Sequence, residues 1–438
     1  MSPLGKTGRS IPEARPAGLR PVQLAWLAAA VFVVSAGYGA LMPLLPGWLK
    51  AMMPGASAAD LARHVGFLSG AYAAGVLVGA PMWGFVSDRV GRGRILIIGL
   101  VGYVASLLAL LAPTVADVSG IYALRFATGF FVAAVIPVVS ALVAEHTPQH
   151  QRARRFAWLS AVSLLGFLFG PALGAVADWV GRLVGEGATA AALSAWAVIV
   201  LSALLGAAIM LGLAATLPAP RGLVPATGRI ADPAEGRMTA LYGLNVAVMF
   251  VLAGFELGIL LQGQLHPGLS AQEVSLMFAE CSLVMLGVNA LLFFTALLEK
   301  VPARKLIGAG LLLAMVGLAV LTQHRAGAWM YFGVSLTAAG IGLILPVIAY
   351  LAAGASPHKL GLAMGGLAAA AGIGQTLGSA AGGWLFGAVG QLGFAWLAVP
   401  LAIIMMLLLI RPRGWSVIPG ISGASSAQAA SRTPSDAL

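Results

Sequence analysis

Three ionisable side chains interrupt long apolar runs. Arg125 stands in "GIYALRFATGFFV", Glu256 in "VMFVLAGFELGILL" and Glu280 in "VSLMFAECSLVML". A charge in hydrocarbon costs about 2.5–3.5 kcal/mol on insertion scales, so each needs a partner or a wet cavity. For the carboxylates the chemistry to expect is reversible protonation. Removal from water disfavours the charged form, and a like charge nearby disfavours it further. Glu280, about nine residues into its run, is the candidate proton carrier. Glu256 lies about six residues before the end of its own run, at comparable depth. It is read as assisting Glu280 or contacting a cationic compound, although a neutral, hydrogen-bonded carboxyl fits it equally. Arg125 is the only charge at depth in the first half of the chain, and it could also snorkel to the surface. Glu145 and Asp178 fall near the ends of their runs.

A second concentration of charge lies in the loop "GFVSDRVGRGR" at 84–94, with Asp88, Arg89, Arg92 and Arg94 between apolar runs. Gly84 would let two helices approach. Asp88, near a helix end, could meet the positive N-terminus of a neighbour.

The elements that hold these residues follow from composition. The 438 residues are 60% hydrophobic and only 9% charged, too apolar for a soluble protein to cover its surface. Runs long enough to cross a bilayer lie near 22–46, 64–86, 95–113, 118–145, 156–178, 190–216, 239–262, 271–297, 305–323, 327–353, 360–388 and 391–410. An all-α membrane protein of twelve helices is expected. With both ends cytoplasmic, twenty of the 25 Lys and Arg fall inside and only Lys50, Arg63, Arg182 and Arg325 outside. The net charge of +11 is thereby explained as topology, without nucleic acid. The expected organisation is a cytoplasmic tail at 1–21, a six-helix half at 22–216, a Pro-rich linker at 217–238, a second half at 239–411 and a disordered tail at 412–438.

The halves resemble each other. "DRVGRGRILIIGL" from 88 aligns with "EKVPARKLIGAGL" from 299, at an offset of 211. "GFLFGPALGA" at 166–175 aligns with "GQTLGSAAGG" at 374–383, at an offset of 208. Repeated six-helix halves are an arrangement of transporters, with a substrate site between them.

The spans, the duplication and three motifs resemble the major facilitator superfamily, and within it the twelve-span drug:proton antiporters. The resemblance covers roughly 22–410. It implies a role for Gly84, Asp88, Arg89, Gly91, Arg92 and Arg94 as a latch between the halves, closed in the outward-facing state and released in the inward-facing one. It implies that Arg125, followed by Gly129 in "RFATG", is linked to proton coupling. Gly166, Gly170, Pro171 and Gly174 match an antiporter signature, with Ala175 where a second glycine is common. Spaced by four, these glycines share one helix face, and Pro171 would bend the helix. The acidic residue that tetracycline exporters carry in span 1 is absent from "AAVFVVSAGYGALMPLLPGW".

The resemblance further implies a substrate cavity reached by Tyr38, Tyr72, Phe131, Phe255, Asn245, Asn289 and Gln375. A mostly apolar cavity with an acidic spot suits lipophilic or cationic compounds. The expected activity is therefore proton-coupled efflux by a monomer in the cell (inner) membrane. Its partners would be a small molecule, protons and lipid. No phosphate loop, metal cluster or catalytic constellation is visible, so no cofactor and no enzyme activity are expected. Uptake by symport, or a transporter-like sensor that moves nothing, remain the competing readings.

Overall fold

The computed structural model describes residues 19–112, 118–147, 149–184, 187–217, 235–265, 269, 271–295, 297–324, 327–355 and 360–410. Residues 218–234 of the expected linker lie outside them, as do 1–18 and 411–438 of the tails, while 235–238, expected as linker, already begin a helix.

Among the described residues all regular secondary structure is helical. Their helices are α1 (Pro21–Leu41), α2 (Leu45–Met52), α3 (Ala58–Val90), α4 (Arg92–Ala109), α5 (Val118–Val132), α6 (Ile136–Glu145), α7 (Gln149–Val184) and α8 (Gly187–Thr216). The second half contributes α9 (Glu235–Leu265), α10 (Ala271–Phe294), the single turn α11 (Leu297–Lys300), α12 (Ala303–Gln323), α13 (Ala328–Ala355), α14 (Leu360–Val389) and α15 (Gly393–Ile410). Ten stretches of the described residues are long and apolar enough to cross a membrane, and the last, Gly366–Ile410, holds both α14 and α15. Helix α7 contains a shorter apolar stretch, Trp158–Gly170. Every run expected from the sequence falls on a helix or on a broken pair of helices.

The two breaks have local causes. In the first run, a 3-10 turn at Met42–Leu44 separates α1 from α2, with Pro43 and Pro46 unable to donate backbone hydrogen bonds. In the fourth, Ala134 and Val135 donate to Phe131 and Val132 three residues back, just before Pro137. Helix α3 starts where the Ser57 hydroxyl accepts from the Asp60 amide, at 3.1 Å. It stops at Gly91, whose φ of 105° is open to glycine and strained for other residues.

The outside of the bundle is apolar. Leu204, Leu211, Leu283, Phe294, Leu312 and Leu409 each present more than half of their surface. That is the inverse of a soluble protein and is stable only in lipid.

The internal repeat is written into the packing. Gly166, Gly170 and Gly174 of α7 lie on Phe32, Ala36 and Ala40 of α1, so closely that a Cβ at Gly170 would fall 2.8 Å from the Ala36 carbonyl oxygen. Gly374, Gly378 and Gly382 of α14 lie in the same way on Val246, Phe250 and Gly254 of α9. The pairs α3–α5 and α10–α13, and α4–α8 and α12–α15, repeat the same neighbourhoods. Small residues make these contacts because apolar burial gives no drive between helices already in lipid, so close packing must hold them.

At Gly378 an added Cβ would fall 2.2 Å from the Phe250 carbonyl oxygen, which is backbone and cannot swing aside. Gly378→Val is therefore expected to destabilise the fold by about 1–3 kcal/mol or more. A lowered unfolding midpoint in detergent, followed by size-exclusion chromatography after heating, checks this. An unchanged midpoint would mean that α9 and α14 separate at little cost.

The two halves meet along α3 and α14 and along α7 and α10. Near the start of α3 the contact is backbone on backbone. A Cβ on Gly66 would lie 2.5 Å from the Gly383 Cα, and one on Gly383 would lie 2.6 Å from the Gly66 Cα. Gly387 packs on Ala59 and Ala62, and Gly70 on Thr376. Farther along, Leu77 still meets Gly372, yet a Cβ at Gly84 would meet nothing within 4 Å. The halves thus close tightly at one end of α3, and at the other Gly84, expected to let two helices approach, instead faces open space, because the helices diverge there.

Candidate functional site

Arg125 does not reach the surface. It is 2% exposed, and its Nε and Nη2 have no hydrogen-bond partner. Its guanidinium carbon lies 4.9 Å from the centre of the Tyr72 ring, a cation–π contact. The α3–α5 crossing sets this geometry. A Cβ on Gly129 would fall 2.0 Å from the Tyr72 carbonyl oxygen, so only glycine allows α5 to bring Arg125 this close to Tyr72.

Arg125 opens onto a small cavity with Tyr38, Tyr72, Tyr103 and Thr128, closed by Leu41 and Leu107. The Tyr38 and Tyr72 rings are 4.9 Å apart, and Phe167 meets Tyr38 edge-on at 5.7 Å. Across the join, Gln375 of α14 stands beside the Tyr38 hydroxyl, and Glu256 of α9 is within electrostatic reach of it. Tyr38 is thus within electrostatic reach of Arg125 in its own half and of Glu256 in the other. Glu256 itself is half-buried.

Glu280 sits one helix away. Its Oε1 accepts a 2.6 Å hydrogen bond from the Ser335 hydroxyl of α13, while its Oε2 is buried without a partner. Buried Cys281 lies within electrostatic reach of both Glu256 and Glu280.

The other cavity candidates are placed elsewhere. Phe255 is fully buried in the core. Phe131 fills the notch left by Gly102 of α4 and packs on Trp83 and Phe130. Asn245 pins α9 to α14, its Nδ2 donating to the Leu367 carbonyl at 2.8 Å. Asn289 donates to the Met285 carbonyl of its own helix, at 2.8 Å. Their side chains serve the helices that carry them.

The loop charges form a cluster within the first half. Arg92 binds Asp88 at 3.1 Å and Glu145 at 2.6 Å, joining α3, α4 and the end of α6. Arg89 lies over Phe85, 3.6 Å from the ring centre, and Arg94 is exposed. Pro171 lies within α7.

Tyr103, Thr128 and Ser335 belong to the site and were not singled out by the sequence. A lone Tyr, Thr or Ser in an apolar run carries no pattern. Glu145 as the partner of Arg92 had a signal, since it ends its helix on the face to which the loop was assigned.

The family model of the Major Facilitator Superfamily matches residues 27–288 and 238–432. Among curated proteins, the chain is 31% identical over 144 residues to the quinolone resistance protein NorA of Staphylococcus aureus, across 33% of this chain and 35% of that one. It is 35% identical over 141 residues to the class B tetracycline resistance protein of Escherichia coli, across 32% and 34%. Each alignment spans about a third of the relative's length. In solved structures the fold is similar to an auto-inhibited POT family peptide transporter, with TM-score 0.70 and 13% identity, over 91% of this chain and 98% of that one. It is similar also to the human organic anion transporter MFSD10, with TM-score 0.67 and 18% identity, over 89% and 100%. The E. coli xylose transporter XylE in a partially occluded inward-open conformation gives 0.64 and 14%, over 88% and 97%.

Proposed function

This chain belongs to the Major Facilitator Superfamily, and from that membership we propose that it exports small lipophilic or cationic compounds in exchange for protons. The observation that carries the reading is the pair Glu256 and Glu280, both within electrostatic reach of Cys281, with Glu256 also within reach of Tyr38 in the other half. Glu280 takes and releases the proton. Glu256, half-buried and within electrostatic reach of Tyr38, meets the compound. Arginine keeps its charge in proteins, so Arg125 acts as a fixed positive centre and carries no proton.

In this reading the protein lies in the cell membrane with both termini cytoplasmic, and works as a monomer of two halves, 22–216 and 239–411. The Gly66–Gly383 contact is then the closed outer gate, and the open space beside Gly84 belongs to the inner mouth. The Asp88–Arg92–Glu145 cluster is the released half of the latch. The glycine faces of α7 and α14 are smooth tracks on α1 and α9, and alternating access needs such faces to rock without unlocking side chains.

The test uses energised inside-out vesicles holding the protein, with internal pH followed by a dye. A panel of lipophilic cations, antibiotics and sugars is added in turn. A lipophilic compound is expected to release protons from the vesicles, and a sugar is not. Proton movement with sugars alone, or with no compound at all, would overturn the export reading.

A further inference from the structure

We propose that Tyr331 is a proton relay between the outer surface and Glu280, running along the α10–α13 contact and apart from the α3–α14 gate. The inference rests on the export reading for Glu280 as the proton carrier and for which end of the bundle is outer.

Packing sets the line of the relay. Ser335 of α13 donates to Glu280 of α10 at 2.6 Å, and a Cβ on Gly342 of α13 would lie 3.2 Å from the Met285 Cα of α10. The numbers rise together in these two pairs, so the helices run in the same direction. Tyr331 precedes Ser335 by four residues and shares its helix face. It therefore stands one turn nearer the helix starts than Glu280 does. Glu273, in the first turn of α10, stands two turns nearer. Tyr331 is within electrostatic reach of both carboxylates, and Tyr331 and Glu273 are each partly exposed. These helix starts lie at the closed end of the bundle. Gln391, in the turn after α14, donates to the Leu321 and His324 carbonyls where α12 ends, just before α13 begins. The same end of α14 carries Gly383 and Gly387 onto α3.

The separation of the carboxylates calls for a group between them. Seven residues along α10 amount to about 10.5 Å of rise. One proton transfer spans a hydrogen bond of about 2.6–3.2 Å, or a single bridging water. A phenol hydroxyl both accepts and donates. The Tyr331 oxygen takes the proton that Glu273 gives up and passes its own to Glu280. The phenol ends as it began, and Glu273 is reprotonated from outer water. Ser335 occupies Oε1 of Glu280, which leaves Oε2 to receive the proton. In this state Oε2 is buried without a partner, so the last step is not connected. A coupled exchanger requires that break while its inner mouth is open, because protons would otherwise cross without the compound. Tyr331 makes the step when the outer end opens. The other titratable groups of this neighbourhood, among the described residues, are Cys281 on α10 and Glu256 of α9, which is within reach of Cys281. Neither belongs to α13 or to the start of α10.

The experiment uses energised inside-out vesicles, whose lumen holds the outer face, and saturating ethidium as a lipophilic cation. The initial rate of proton release is measured beside the equilibrium binding of ethidium across pH. Tyr331→Phe, which removes only the hydroxyl, is expected to slow release by about tenfold or more. Binding and its pH dependence should stay those of the parent, because Glu280 still titrates. Acidifying the lumen should speed the variant in proportion to proton concentration over a range in which the parent is already saturated. Tyr331→His restores a group that accepts and donates, and should recover the rate. Glu273→Gln should slow release in the same direction. Tyr350→Phe, at the exposed far end of α13, should change nothing. Release at the parent's rate in Tyr331→Phe would overturn the relay and leave export standing. So would slowing that comes with weakened ethidium binding, which would make the residue structural. If Tyr331→Phe fails to fold, an unchanged rate in Glu273→Gln overturns the relay instead. Silence of the parent toward ethidium and the rest of the panel would remove the relay together with the export reading.

Discussion

Glu280→Gln is expected to reduce compound-driven proton release to the level of vesicles without the protein. The amide has the shape of the acid and can still accept from Ser335, whose hydroxyl lies 2.6 Å from Oε1 in the parent. What it lacks is the ability to titrate. In an exchanger the proton and the compound compete, so the compound binds more tightly as pH rises and the carboxylate loses its proton. The two effects are linked, and equal in size. In Glu280→Gln the affinity for the compound should become flat with pH while binding itself survives. Glu256→Gln is expected to weaken binding and to leave a pH dependence. The measurement is compound binding across pH, beside proton release in vesicles. An unchanged pH dependence in Glu280→Gln would remove Glu280 from coupling. If Glu256→Gln alone flattened the profile, the two roles would be exchanged.

Gly383→Leu is expected to stop transport by keeping the α3–α14 end open. A Cβ on Gly383 would lie 2.6 Å from the Gly66 Cα and 2.7 Å from the Ala62 carbonyl oxygen, all backbone. Overpacking of this kind costs about 1–3 kcal/mol. Here the cost falls on one conformation, so the balance between the two shifts by about 5–150-fold. The check is a cysteine at Ser69, a near-isosteric change at a position 1% exposed in this state. It should be shielded from a membrane-impermeant maleimide in the parent and labelled rapidly in the Gly383→Leu background. Wild-type transport with a shielded cysteine would mean that the contact is not the gate.

The duplication also shows where the site differs between halves. The packing that relates Ala36 to Phe250, an offset of 214, places Met42 opposite Glu256. The loop offset of 211 places Ser69 opposite Glu280. Ser69 and Met42 touch, with the hydroxyl 3.5 Å from the sulfur. The first half therefore carries an uncharged version of the acidic neighbourhood in the second. The missing acid of span 1 is one side of that asymmetry.

Much of this was legible from residue order. Apolar runs of bilayer length determined the helices, because in lipid every backbone group must be satisfied within its own segment. The two offsets exposed the duplication, and glycines spaced by four along 166–174 and 374–382 announced shared faces, since helix geometry alone puts such positions on one side. The charges at depth singled out Arg125, Glu256 and Glu280 as the candidates for the chemistry. Tertiary packing decided what each charge meets. Whether Arg125 snorkels or is buried depends on the α3–α5 crossing, which Gly129 permits but does not announce. Phe255 and Phe131 have the residue type of a cavity wall, yet helix rotation turns one into the core and the other onto Gly102. Ser335 meets Glu280 across 55 residues, and Tyr38 lies within electrostatic reach of both Arg125 and Glu256. Such pairs depend on how rigid helices rotate and cross, and no local preference of the chain encodes that.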